Sequence, residues 1–224
     1  MRIYKRDKAG RFAVSSSGNG SSIGLEGKTT KFEAEDYDTR LQTTPNEEPM
    51  FREYLDDSNR PKLTAEEKTS LDYYTGAGYE LMNQVERGEI PEEYAGATAT
   101  LERMRNHTNV LLGVLNKGEI GRDALLYRGH KTKPGDFTEK LVAGQEFKFQ
   151  NISSTSLSRR KARDFGRTVI KIQARKNTRG IYADDNFINF TREREFIVHP
   201  DTKYRVLSNT LKNGNREIEL ETID

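Results

Sequence analysis

Glu193 and Glu195 stand two residues apart in TREREFIVHP (residues 191–200), directly before an apolar run, Phe196, Ile197 and Val198, that Pro200 closes. If that run is a strand, its two-residue period puts both carboxylates on one face and Arg194 on the other. Two carboxylates on a rigid face can handle positive charge, including the sugar cation that develops as a glycosidic bond breaks. Read alone, alternating charge beside a strand is more often a solvated edge. Two further features shift that balance. Arg128 ends the apolar stretch ALLYR and precedes Gly129. An arginine there can grip a phosphate through two parallel hydrogen bonds while glycine lets the backbone approach the ligand. Ser153, Ser154, Thr155 and Ser156 form a run of hydroxyls that can orient a carboxylate. Each feature also has an ordinary reading, a strand-end arginine or a Ser/Thr run in a turn.

Such groups need elements to hold them. Thr64-Ala-Glu-Glu67 has the capping-box spacing and opens a helix carrying Leu71 and Tyr74. YTGAGY (74–79) interrupts it, since two glycines disfavour one continuous helix. A second helix through Leu81, Met82 and Val85 ends at Arg87-Gly88. Leu101, Met104, Leu111, Leu112 and Leu115 mark an amphipathic helix over 97–117, closed by Gly118. Beyond Gly121 the period changes. ALLYRG (124–129), EFKFQNISSTS (146–156), TVIKIQA (168–174), EFIVH (195–199), YRVLS (204–208) and EIELET (217–222) read as strands. Ser158 can cap a short helix that carries Ala162 and Phe165 and ends at Gly166. Helices first and mostly antiparallel strands after predict an α+β domain.

Residues 1–60 read as a flexible N-terminal extension. SSSGNGSSIG (15–24) has linker composition, and the polar stretch after it has few branched apolar residues. Within it, Met50, Phe51, Tyr54 and Leu55 could form a short amphipathic turn docked on the body. The catalytic domain is expected over 61–224.

The 224 residues carry 37 Lys and Arg against 35 Asp and Glu, so net charge says little about partners. Its distribution says more: residues 119–180 hold fifteen basic and six acidic side chains, an excess suited to an anionic ligand. The absence of cysteine excludes disulfides, thiol catalysis and cysteine-ligated metal. His107, His130 and His199 lack zinc-site spacing, so no metal is expected, and no Ser–His catalytic arrangement is visible. No secretory signal peptide and no membrane span are evident. No recognised nucleic-acid motif accompanies the basic stretch, which argues against a nucleic-acid partner.

Taken in order, YRG, then STS on a later strand, then ExE entering an apolar strand resembles the arginine–serine–glutamate group of mono-ADP-ribosyltransferases of the bacterial exoenzyme-toxin type. That branch includes the Rho-modifying exoenzymes and the catalytic halves of actin-modifying binary toxins. The resemblance runs from about Leu63 to the C-terminus and includes YTGAGYELMNQVERG (74–88), similar to the branch's helix pair with a YT…INxxLRG-like pattern. It implies a helical half followed by a mostly antiparallel β-sandwich, with NAD as substrate and no metal. Arg128 would hold an NAD phosphate, with the Gly129 backbone near the nicotinamide amide. Ser154 would orient Glu195, and Glu195 would bind the nicotinamide ribose and stabilise the oxocarbenium ion.

In the family, glutamate at the position of Glu193 accompanies an arginine acceptor and glutamine an asparagine acceptor, which implies a target protein presenting an arginine. Phe190 falls where the family's turn-recognition loop often carries an aromatic residue. DFGR (164–167) resembles the phosphate–nicotinamide loop but is one residue shorter between aromatic and arginine. Phe165 and Arg167 are therefore candidate NAD contacts, with Phe165 as the core of a short helix the alternative. Arg87 is a candidate phosphate contact or simply a cation at a helix C-terminus. KRDKAGRFA (5–13) weakly resembles tail segments of bacteriophage head-associated proteins, which would make the enzyme phage-encoded and delivered by a virion. The expectation is a monomer acting in the cytoplasm of a target cell. An NAD glycohydrolase, or a non-catalytic virion module retaining the fold, are the alternatives.

Overall fold

The computed structural model describes residues 31–43, 47–183 and 193–223. The compact unit runs from Phe32 to Asp224. Helices α1 (Tyr37–Thr43), α2 (Glu47–Asp57), α3 (Ala65–Tyr73), α4 (Tyr79–Glu86) and α5 (Thr98–Lys117) precede the first strand, and the short α6 (Arg159–Asp164) lies among the strands. The capping box forms as expected: Glu67 N donates to Thr64 Oγ1 at 3.2 Å and Thr64 N to Glu67 Oε2 at 2.9 Å. Between α3 and α4, Tyr74–Gly78 form a π-helical turn in which Gly76 leaves helical geometry (φ −88°, ψ −121°). The expected break is therefore real, and it leaves Tyr74 fully buried. Ser158 caps α6, accepting from Lys161 N.

Among the described residues eight strands follow: β1 (Ala124–His130), β2 (Glu146–Phe147), β3 (Ser153–Ser156), β4 (Thr168–Ala174), β5 (Gly180–Tyr182), β6 (Glu195–Val198), β7 (Lys203–Lys212) and β8 (Asn215–Ile223). They hydrogen-bond in the order β2-β7-β8-β4-β1-β3-β6-β5, antiparallel except for the parallel β4–β8 pair. One core cluster takes Tyr204 and Val206 from one end of this order and Tyr182, Phe196 and Val198 from the other, with Leu126, Ile170 and Ile172 from the middle. The ends of the sheet thus close over a shared interior, giving the expected helical half followed by a mostly antiparallel β half. A second cluster seals the helices to the sheet through Leu71, Tyr74, Met82, Leu111, Ile152 and Ile197.

Two expectations need correction. The stretch 146–156 is not one strand: β2 pairs with β7, whereas β3 pairs with β1 and β6. Alternation alone cannot register the break between them. The boundary at residue 60 also falls inside the compact unit. Tyr37, Met50, Phe51, Tyr54 and Leu55 are all buried in the main core cluster. These side chains are apolar enough to dock although their neighbours are charged. Losing even one such aromatic costs about 3–5 kcal/mol. A fragment starting at 61 would therefore open the core.

Candidate active site

Glu195 is the first residue of β6 and is 8 % exposed. Its strand is held on both sides. Glu195 pairs with Ser156 of β3, and its carbonyl accepts from Ala183 N at 3.0 Å. Burial pushes the Glu195 carboxyl up to about 7; the hydrogen bond from Ser154 opposes this and the charge of Glu193 adds to it. Ser154 pairs with Ile197, so pleating puts its side chain on the same face as that of Glu195. The Ser154 hydroxyl also lies 3.2 Å from the Tyr74 hydroxyl, which in turn donates to the Ile152 carbonyl at 3.2 Å. One hydroxyl proton serves one acceptor at a time. Ser154 can donate to Tyr74 while Glu195 is protonated, and to Glu195 once it ionises.

Glu193 precedes the strand, and its relation to Glu195 is not the expected strand pleat. The ladder begins only at Glu195, and Arg194 has a left-handed φ of +50°. The turn is pinned by Ser156 Oγ, which donates to the Glu193 carbonyl at 2.5 Å, and by Leu157 N, which donates to the Arg194 carbonyl at 3.0 Å. Glu193 is half-buried, and burial raises its pKa; Lys161 lowers it and Asp164 raises it further. Glu193 is still close enough for its charge to act on Glu195.

Arg128 lies on β1, paired with Ile170 of β4. Its guanidinium carbon sits 5.1 Å from the centre of the Phe149 ring, and Tyr74 and Tyr204 are near enough to favour its charge against the burial that disfavours it. Arg128 Nη1 is buried without a hydrogen-bond partner. An unsatisfied buried guanidinium nitrogen fits an anionic ligand group such as a phosphate oxygen. Tyr74 links the two ends of the site, being electrostatically coupled to both Glu195 and Arg128, and burial raises its pKa to about 12.

The opposite wall is helical. Asn83 of α4 hydrogen-bonds Tyr74 and leaves its Oδ1 buried without a partner. Glu86, one turn later, accepts from the Ile152 backbone N–H. Tyr74 and Glu86 thus hold the carbonyl and the N–H of Ile152, two residues before Ser154. Sequence reasoning noticed the YTGAGY break and the pattern around it but assigned no site role to Tyr74, Asn83 or Glu86. Their signal is the spacing of polar groups along the buried face of α4, one turn apart beside Met82.

The other expected residues have surroundings of their own. Gly129 is required by packing: a Cβ there would come within 1.8 Å of the Ala162 carbonyl of α6. The helix behind the strand is thus by itself a reason for glycine. Phe165 ends α6 and is 50 % exposed, so it is not the core of a short helix. Arg167 lines a cavity of about 480 Å³ with Lys131, Thr168 and Arg216, beyond the far end of β1 from Tyr127. Arg87 caps α4 and pairs with Glu89 at 2.8 Å, one turn from Asn83. Phe190 lies outside the described residues. One Ser–His contact does exist, Ser70 Oγ to His107 Nδ1 at 2.9 Å, but Ser70 is fully buried and the imidazole stacks on Tyr73, as a packing pair does. Among the described residues no group of three or more His, Asp or Glu could hold a metal ion, and no helix is long and apolar enough to cross a membrane.

Residues 30–224 match the family model for the ADP-ribosyltransferase exoenzyme. No curated protein matches the sequence. Among solved structures, the chain is similar to C3stau2 from S. aureus with NAD, at 15 % identity and a TM-score of 0.62, covering 79 % of this chain and 95 % of that one. It is similar to the ADP-ribosyltransferase Vis toxin from Vibrio splendidus at 18 % identity and a TM-score of 0.61, covering 88 % and 89 %. Exoenzyme S from Pseudomonas aeruginosa, bound to carba-NAD and in complex with human 14-3-3 protein beta, matches at 19 % identity and a TM-score of 0.57, covering 83 % and 86 %. At such identities these likenesses speak for the fold alone.

Proposed function

The chain belongs to the ADP-ribosyltransferase exoenzyme family, and on that premise we propose that it transfers ADP-ribose from NAD to arginine side chains of a target protein, releasing nicotinamide. The observation that carries the reading is the Glu195 carboxyl, buried on Ser154 with Glu193 beside it, in an enclosure that Tyr74 shares with the unsatisfied Arg128 nitrogen.

In this reading Arg128 Nη1 takes a phosphate oxygen of NAD, supported from below by the Phe149 ring. Asn83 Oδ1 supplies an acceptor on the helical wall, and Arg87 could exchange Glu89 for a second phosphate contact. The bond between the nicotinamide nitrogen and the ribose anomeric carbon breaks with its electron pair leaving on nicotinamide. Positive charge then builds on the ribose. A fixed Glu195 carboxylate favours that cation far more than the neutral ring of the ground state, which lowers the barrier. Ser154 donates to the ionised form and keeps it aimed. Glu193 holds the incoming guanidinium by a charge-assisted pair and accepts the proton that nitrogen loses as it bonds to the anomeric carbon. Its raised pKa makes it a better base than an exposed glutamate. A structure of Vis in complex with agmatine, a guanidino compound, is compatible with that kind of acceptor in this fold.

The experiment is paired. Nicotinamide release is measured without acceptor, and label from NAD is followed into agmatine and into proteins of a cell lysate, with modified residues located by mass spectrometry. Label on arginine supports the transferase. Nicotinamide release with no labelled guanidino product assigns the chain as an NAD glycohydrolase. Neither activity would leave the site as a retained fold without chemistry.

A further inference from the structure

Arg194 stands between the two glutamates, yet its side chain turns into the core. It is 8 % exposed, and its guanidinium carbon lies 4.6 Å from the centre of the Phe51 ring on α2. Phe51 is itself 2 % exposed and meets Tyr182 edge-on, with ring centres 6.0 Å apart. Tyr182 packs 4.7 Å from Phe196, the residue after Glu195. An aromatic stack thus runs from an N-terminal helix to the underside of the glutamate segment.

The backbone at Arg194 gives this stack a task. A left-handed φ is uncommon for a residue with a side chain, and it persists only where surroundings hold it. The contacts that hold Arg194 include the Phe51 ring and the hydrogen bond from Leu157 N to its carbonyl. Residues 193 and 195 depend on this turn unequally. Glu195 is fixed by ladder hydrogen bonds to its neighbours, whereas Glu193 lies on the far side of the turn from the strand.

We propose that Arg194, seated on Phe51, is a positioning residue that holds the turn presenting Glu193 to the acceptor, and that helix α2 is thereby part of the acceptor side of the site. This rests on the reading of Glu193 given above. Loosening the seat removes one hold on the turn, beside the Ser156 and Leu157 hydrogen bonds, so the Glu193 carboxylate loses its aim while Glu195 stays in its ladder. The loss therefore falls on transfer and not on cleavage of NAD.

The test uses the full chain with Phe51→Leu, Phe51→Tyr, Arg194→Met and Arg194→Lys, each checked for folding by circular dichroism and thermal midpoint. For Phe51→Leu and Arg194→Met, kcat/KM for agmatine should fall about tenfold, chiefly through KM, with acceptor-free nicotinamide release within about twofold of wild type. Phe51→Tyr keeps the ring face, and Arg194→Lys keeps a cation; both should restore much of the transfer. Arg194→Met keeps side-chain length and probes the contact independently should Phe51→Leu not fold. Parallel loss of both activities with thermal midpoint overturns the inference in favour of plain packing. Unchanged transfer in folded Phe51→Leu and Arg194→Met overturns it as well. A wild-type chain that releases nicotinamide but never labels agmatine overturns the arginine reading, and this inference with it.

Discussion

Strand β6 and the turn that leads into it carry one glutamate each, and they are built differently. In the strand, Glu195 is buried, laddered on both edges and tied to Ser154. In the turn, Glu193 is half-buried and hangs on a left-handed residue whose side chain is anchored elsewhere. The difference matches two demands. A charge that stabilises a short-lived cation must be pre-aimed, because reorganisation at the moment of reaction would cost the rate it is meant to supply. A charge that receives a side chain from another protein gains from some freedom to meet it.

The sharpest way to break the comparison is at the strand. Glu195→Gln keeps shape but removes the charge, and both transfer and NAD hydrolysis should fall by about 10²-fold or more while NAD affinity in calorimetry changes little. Turnover near wild type would remove Glu195 from the chemistry. At the turn the two activities should separate. Glu193→Gln should lower label transfer to agmatine by about tenfold or more and leave nicotinamide release within about threefold. Equal loss of both would mean that the turn and the strand act as one unit.

Arg128→Lys is the control that belongs to neither region. It preserves charge but loses the planar fork, so the KM for NAD should rise by about tenfold in both assays alike. A selective effect on transfer would show that Arg128 serves the acceptor.

The smallest effect concerns stability. Burial raises the Glu195 pKa from 4.5 to about 7 in the folded protein. Its contribution is therefore fully favourable below pH 4.5 and is lost as pH rises through 7. Glu195→Gln, which cannot ionise, should be more stable to denaturant than wild type at pH 8, by on the order of 1–3 kcal/mol, and the gap should narrow as pH falls toward 5. In wild type, activity that needs the ionised carboxylate should rise through the same region. A gap that widens on acidification would show that Glu195 gains more from its neighbours when charged than burial costs it.

Much of the candidate site could be read in the sequence because its residues have recognisable neighbours: Arg128 before a glycine, Ser154 in a hydroxyl run, two glutamates before an apolar run. The helix break at Gly76 and the caps at Thr64 and Ser158 were legible for the same local reason. What escaped depends on partners far along the chain. Phe51 and Tyr54 look like isolated apolar residues in a charged stretch until Tyr182 and Arg194, more than a hundred residues later, complete their surroundings. The three residues of β5 are too short to show a period. Gly129 was legible as a glycine but not for its cause, since α6 behind it cannot be seen from β1 alone.

The parallel pairing of β4 with β8 bears on how the molecule assembles. Strand β8 follows the other described strands, yet it lies between β7 and β4, and β4 in turn flanks the strand of Arg128. Synthesis delivers this interior strand after β1 to β7. Until it arrives, β4 lacks its outer neighbour and presents an open edge of backbone donors and acceptors, the kind of edge that pairs with other chains. Joining β8 to β4 also closes a loop of tens of residues before any contact rewards it, which favours slow, late completion of the sheet. Nascent or refolding protein should therefore be most prone to association just before β8 docks, and a peptide copy of β8 supplied in excess should compete for that edge.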